Sequence, residues 1–306
     1  MRFSHRRFIR PHRLHAGDTI GIVAPAGPFN RESFEKGIAT IRNLGFATKS
    51  DPRIFAREGY LAGTDASRAA QVNAMMADTE VKAVICARGG YGSLRILEAL
   101  DYAAIGASAK AIIGFSDITA LHRAILLRSS LVTLHGPMLT TLPDCDDESR
   151  KSWYRTLTEL FAPPMDLSHA RILKAGIVEG VLTGGNLATL CHLTGTAWGA
   201  GFEGRILLLE EIGEAPYRID RMLTQMKLAG LFDGLEGLVL GDFESCGSMD
   251  EIDALVKEAF EDMSFPIVSG VPVGHGRSNW TLPLGVAVRL DTTAGELRFM
   301  EPTFRE

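Results

Sequence analysis

A serine hydroxyl becomes a useful nucleophile only when a base takes its proton and dipoles await the oxyanion that forms. Ser116 stands where both can be arranged. It follows Gly114-Phe115 and precedes Asp117, at the point where the apolar stretch 111–115 gives way to the helical spacing of 118–127. Such a strand-to-helix corner has the geometry of a nucleophile elbow, with Gly114 letting the chain pass closely, although the usual second glycine after the serine is absent. The amide of Asp117 then serves as one oxyanion donor. A second corner, Arg88-Gly89-Gly90-Tyr91-Gly92, follows the apolar stretch 81–87 and turns backbone N–H groups, that of Gly90 among them, towards an anion or a developing oxyanion. Each corner also has a plainer reading, a helix cap for Ser116-Asp117 and a tight turn or phosphate cradle for the glycines. On neighbouring strands they reinforce the catalytic one.

The base must be a histidine, and eight are available. His5, His12 and His15 fall in an N-terminal arm, His169 in a connecting segment, and His122 and His192 within helical stretches. His135 and His275 each come just after a strand, and periodicity does not choose between them. For the acid that orients the base, Glu210 ends the apolar run 205–210, where a carboxylate is costly unless paired with an imidazolium or, in a purely structural reading, with Arg218 or Arg221. Glu211 and Glu214 read as loop or helix-entry charges. Arg88 is the candidate for holding a free substrate carboxylate, its plain alternative being a sheet-edge partner.

These residues need a scaffold. Strands apolar on both faces at 19–24, 81–87, 111–115 and 131–134, with a further one at 47–53, alternate with helical stretches at 30–44, 67–76, 93–100 and 118–127, which calls for a parallel sheet covered on each side. Acidic residues, a helix at 153–161 and Pro163-Pro164 mark a linker from about 143. Beyond it come shorter strands at 176–182, 205–210, 238–240, 267–273 and 287–290, with helices at 187–194, 217–229 and 250–259. The expected division is 1–165, carrying the nucleophile, and 166–306, carrying acid and base. A chain of 306 residues suits two such units.

A net charge of −5 offers no basic field for nucleic acid. Arg2, Arg6, Arg7, Arg10 and Arg13 read as a solvated arm and not as an export signal, because no apolar stretch follows them. No run is long enough to span a membrane. Cys86, Cys145, Cys191 and Cys246 form no CxxC pair, which argues against a zinc site or disulfide framework and for reduced, buried thiols in the cytoplasm. The first strand is not followed by GxGxxG, so a dinucleotide fold is disfavoured.

In several separated stretches the chain resembles the LD-carboxypeptidases (muramoyltetrapeptide carboxypeptidases) and their microcin-immunity relatives. The likeness lies in Gly17-Asp18-Thr19-Ile20 with Ala24-Pro25-Ala26-Gly27-Pro28, the Arg88 to Gly92 turn, Gly114-Phe115-Ser116-Asp117, His135-Gly136-Pro137-Met138, Gly184-Gly185-Asn186-Leu187, Leu209-Glu210 with Pro216-Tyr217-Arg218-Ile219-Asp220-Arg221, and Gly274-His275 with Pro283-Leu284-Gly285. The resemblance implies a flavodoxin-like N-terminal domain and a swivelling β/β/α C-terminal domain. It also implies Ser116 as nucleophile, His275 as base, Glu210 as orienting acid, and an oxyanion hole from the amides of Gly90 and Asp117. Arg88, Gly89, Tyr91 and His135 are then expected beside the substrate. No metal or other cofactor is implied. The expected activity is release of D-Ala from murein tetrapeptide by a cytoplasmic homodimer in cell-wall recycling. The alternatives are a self-immunity peptidase for a peptide-nucleotide and a non-catalytic ligand-binding protein. The sequence departs from many relatives at Gly276-Arg277-Ser278-Asn279-Trp280, where they carry a shorter turn.

Overall fold

The alternation of apolar strands and helices in the first half builds a parallel sheet, seen in a computed structural model that describes residues 8–306. β1 (Thr19–Val23), α1 (Arg31–Asn43), β2 (Ala47–Ser50), α2 (Asp65–Ala77), β3 (Val81–Cys86), α3 (Tyr102–Ser108), β4 (Ala111–Gly114), α4 (Thr119–Arg128) and β5 (Thr133–His135) follow one another. Across the sheet the parallel strands lie β2-β1-β3-β4-β5, the flavodoxin-like order, with ligand space beyond the carboxyl ends. One apolar cluster, including Val72, Val84, Ile112 and Leu121, covers one face. Another, including Ile22, Ile41, Ile85 and Ile113, covers the other.

The segment expected as a linker is structural. Asp146 caps α5 (Asp147–Thr158) by accepting from Ser149 N at 2.7 Å, and acidic residues fill the first turn, where the helix dipole favours them. The helix therefore starts earlier than the 153–161 expected, and it buries Trp153 and Leu157 in the first half's core. The 93–100 stretch is a 3-10 helix, Ser93–Ala99, and α3 went unforeseen because its short turn lacks a clear apolar period.

The second half adds β6 (Met165–Asp166), β7 (Arg171–Lys174), β8 (Ile177–Asn186), α6 (Leu187–His192), β9 (Arg205–Ile212), α7 (Pro216–Leu228), β10 (Gly237–Glu244), α8 (Met249–Ala259), β11 (Ile267–Ser269), β12 (Leu282–Leu284), β13 (Ala287–Asp291) and β14 (Glu296–Phe299). Eight of its strands form a mixed sheet, β6-β14-β13-β8-β9-β10-β11-β7, in which β8 to β11 run parallel. The ninth, β12, leaves it and pairs antiparallel with β5 of the first sheet. The two sheets therefore do not divide the chain at one point.

The arginine-rich arm is not solvated where it is described. Ile9 bridges to Leu131, Arg10 pairs with Glu301, and Arg13 pairs with Glu306 at 2.6 Å, so basic residues near one terminus meet carboxylates near the other. Arg2, His5, Arg6 and Arg7 lie outside the described residues. All four cysteines are free and buried. Among the described residues, no helix is long and apolar enough to cross a membrane.

Candidate active site

Carboxyl ends of strands from both sheets face one another. From the first sheet, β4 delivers Ser116 in a left-handed conformation, φ 62°, which costs a non-glycine residue roughly 1–2 kcal/mol. A half-buried serine held in such strain is the signature of an elbow that aims its hydroxyl outwards. The neighbouring turn supports the corner closely. A Cβ added to Gly89 would stand 3.0 Å from Ser116 Cβ and 3.1 Å from its Oγ, so any larger residue there would press on the nucleophile. Gly90 and Gly92 have φ of 103° and 131°, open to glycine and strained for other residues. The turn is tied to the nucleophile corner by Ser93 N donating to Asp117 Oδ2 at 2.8 Å. Asp117 N is in the first turn of the short helix Ser116–Ile118, where amides lack intrahelical acceptors.

From the second sheet, β9 carries Glu210 and the loop after β11 carries His275. Glu210 is fully buried, and its Oε2 receives the Nδ1–H of His275 at 2.6 Å. Burial alone would raise the pKa of Glu210. The facing rings of His135 and His275 outweigh it and bring the pKa down to about 2. His275 is shifted the other way: burial pulls its pKa down, but the charges of Glu210, Glu211 and Asp242 overcome that and leave it raised.

The histidine loop reaches Glu210 through a bulge. Pairing of β10 with β9 skips between Leu240 and Phe243, opposite Glu210. There a Cβ on Gly241 would sit 2.1 Å from Val273 O, so glycine admits the incoming chain. Asp242 N donates to Val273 O at 2.8 Å, and Gly276 N donates to Asp242 Oδ2 at 3.2 Å. On its other side the loop is moored to α5: Asn279 N donates to Ser149 Oγ at 2.8 Å, Asn279 Oδ1 accepts from Gly274 N, and Ser278 Oγ donates to Asp146.

The two halves meet at Phe115, whose ring lies 4.8 Å from that of His275, centroid to centroid. Asn186 N also donates to Thr119 Oγ1 at 3.0 Å. No hydrogen bond joins Ser116 Oγ to His275 among the described residues. Catalytic contacts of this kind commonly tighten only with substrate bound.

Several expectations need correction. His135, expected beside the substrate, is wholly buried: it stands behind Glu210, with Nε2 3.8 Å from Oε1, and pairs with β12. Glu211 is no loop charge, since it is buried and accepts from Asn186 Nδ2 and from Ala188 N at the start of α6. Arg218 pairs with Glu214, and Arg221 lies over Tyr217, so neither meets Glu210. His122 is buried and bonds Gly114 O at 2.8 Å. Arg88 is exposed and donates to Pro28 O at 2.6 Å. With Tyr91, Gly90, Arg57 and Tyr60 it lines a cavity beside the glycine turn.

Arg68 was missed. It is fully buried and donates to Pro25 O and Gly92 O, clamping the loops after β1 and β3. Its signal in the sequence is a charge on the apolar stripe of α2, in step with Val72, Met75 and Met76.

Comparison with known proteins agrees with this architecture. Residues 20–136 match the LD-carboxypeptidase N-terminal domain, and residues 179–290 match the LD-carboxypeptidase C-terminal domain. A Bacillus subtilis protein named "Probable murein peptide carboxypeptidase" is 36% identical, over 92% of this chain and 92% of its own length. The crystal structure of muramoyltetrapeptide carboxypeptidase from Oxalobacter formigenes superposes with TM-score 0.81 at 31% identity, covering 91% of this chain and 97% of the other. The microcin C7 self-immunity protein MccF, known from Escherichia coli, superposes with TM-score 0.90 at 26% identity, covering 97% of this chain and 100% of the other. With both domain matches in order along one chain, this protein belongs to the LD-carboxypeptidase family.

Proposed function

We propose that the protein is a serine LD-carboxypeptidase that releases the terminal D-amino acid, D-Ala, from murein tetrapeptide. The observation that carries this reading is the 2.6 Å contact between Glu210 Oε2 and His275 Nδ1, at a strand end that faces the strained Ser116 corner. With Nδ1–H committed to the carboxylate, Nε2 keeps its lone pair for the Ser116 proton. Ser116 Oγ attacks the scissile carbonyl, and the amides of Asp117 and Gly90 receive the oxyanion. The protonated His275, stabilised by Glu210, gives its proton to the leaving nitrogen. Water, deprotonated in turn by His275, then hydrolyses the ester on Ser116 and restores the enzyme. Arg88, Gly89 and Tyr91 flank the acyl part of the peptide.

The murein substrate is supported by the names of the Bacillus and Oxalobacter relatives. The cytoplasmic, homodimeric setting is supported by the family resemblance. A peptide-nucleotide substrate is the second reading, supported by the fit to MccF. Trp153, in α5, offers no face on which a nucleotide base could stack, because its indole is wholly buried against Phe46. The test is mass spectrometry of murein tetrapeptide incubated with wild type and Ser116→Ala. Release of D-Ala should fall by at least roughly 10³-fold, and undiminished release by the variant removes the proposal.

A further inference from the structure

An exopeptidase must recognise the free carboxylate of the residue it removes, and the direction of proton delivery says where that carboxylate lies. His275 can protonate the leaving nitrogen only if that nitrogen is on its own side of Ser116. In an amino acid the carboxylate carbon is about 2.5 Å from the nitrogen. The group that binds the carboxylate must therefore open onto the cavity of His275. Arg88 does not: it lines the separate cavity of Gly27, Gly90, Tyr60 and Tyr91.

The His275 cavity is about 350 Å³, bounded by Phe115, Thr141, Asp144, Cys145 and the loop from Gly274 to Arg277 with Asn279, a volume suited to a small ligand. Its one cationic lining residue is Arg277. Among the described residues, the Arg277 guanidinium enters no ion pair or hydrogen bond. Asp144, the other charged lining residue, is not within ion-pair distance of it. The backbone beneath Arg277 is fixed all the same. Asp146 N donates to Arg277 O at 3.2 Å, and the next two residues are bonded to the first turns of α5. A guanidinium with its donors free, two residues from the base and on a moored loop, suits a carboxylate in the bidentate manner.

We infer that Arg277 binds the free carboxylate of the departing D-amino acid and so makes this site a carboxypeptidase. The inference rests on the hydrolytic reading above and adds the specificity determinant to it. The experiment compares kcat/KM for two substrates, murein tetrapeptide with a free C-terminal carboxylate and the same peptide as its C-terminal amide, in wild type, Arg277→Ala, Arg277→Lys and Arg88→Ala. Wild type should favour the free acid by about 10- to 100-fold, the worth of charge-assisted hydrogen bonds. Arg277→Ala should lose that preference through slower cleavage of the acid, and Arg277→Lys should recover part of it. Arg88→Ala, whatever its overall rate, should keep the wild-type ratio. The side chain is exposed, so unchanged melting temperatures will exclude misfolding. Full discrimination in Arg277→Ala, or its loss in Arg88→Ala, overturns the assignment and leaves the triad intact. No release of D-Ala by wild type overturns both.

Discussion

Replacing Glu210 by glutamine tests the catalytic reading most directly, because it keeps the side chain's shape and removes only its charge. In the wild type the carboxylate is fully buried, stays ionised down to about pH 2 because His135 and His275 outweigh its burial, and lies 2.6 Å from His275 Nδ1. It thereby holds the tautomer with hydrogen on Nδ1 and stabilises the imidazolium that forms when Ser116 gives up its proton. The amide of Glu210→Gln can turn its NH2 towards Nδ1, which puts the ring hydrogen on Nε2 and removes the lone pair the serine needs. By analogy with neutralising the acid of a Ser-His-Asp triad, kcat should fall by roughly 10³- to 10⁴-fold, about 4–5.5 kcal/mol of activation free energy, with KM little changed. The pH profile supplies a second readout. Only neutral His275 acts as base, so activity is present above its pKa and is lost as pH falls through it. Burial opposes, but the negative charges around His275 raise that pKa, so the acid limb of kcat/KM should lie above the ordinary histidine value of about 6.5 and move down in Glu210→Gln. Steady-state release of D-Ala, followed from pH 5 to 9, measures both. A loss under about tenfold, with the limb unmoved, would refute the role of Glu210.

Three further outcomes follow from the same geometry. Asp242, whose own pKa burial lifts to about 6, is ionised where the limb falls and helps raise His275; in Asp242→Asn the limb should move to lower pH, and an upward shift would contradict the charge argument. Ser116→Gly should abolish turnover yet stabilise the fold by about 1 kcal/mol in urea titration, since glycine tolerates the left-handed φ of 62°; a destabilised variant would show that the corner is not strained. Arg68→Met leaves the carbonyls of Pro25 and Gly92 without their buried donor and should cost about 2–4 kcal/mol, with kcat reduced as the glycine turn loosens. Unchanged stability would mean that the clamp is dispensable.

The sequence by itself determined the scaffold and the reactive corner. Apolar runs such as 81–87 and 111–115 can be satisfied only by a sheet covered on both faces. A serine between such a run and a helix lands at the strand's carboxyl end, because backbone geometry alone puts it there. Glu210 was visible for a related reason, as a charge ending a run of leucines that demands a partner. Which partner was not visible: His135 and His275 both follow strands, and spacing treats them alike. That choice is made by contacts 65 residues apart, through the bulge at Gly241 and the mooring of the 274–279 loop to α5, features with no local period. For the same reason α5 read as a linker and the described part of the arm as solvated, since their partners, the first core and the carboxylates near residue 306, are remote in sequence. Local propensity writes elements into the chain, but burial and hydrogen bonding between distant segments decide which imidazole meets the carboxylate.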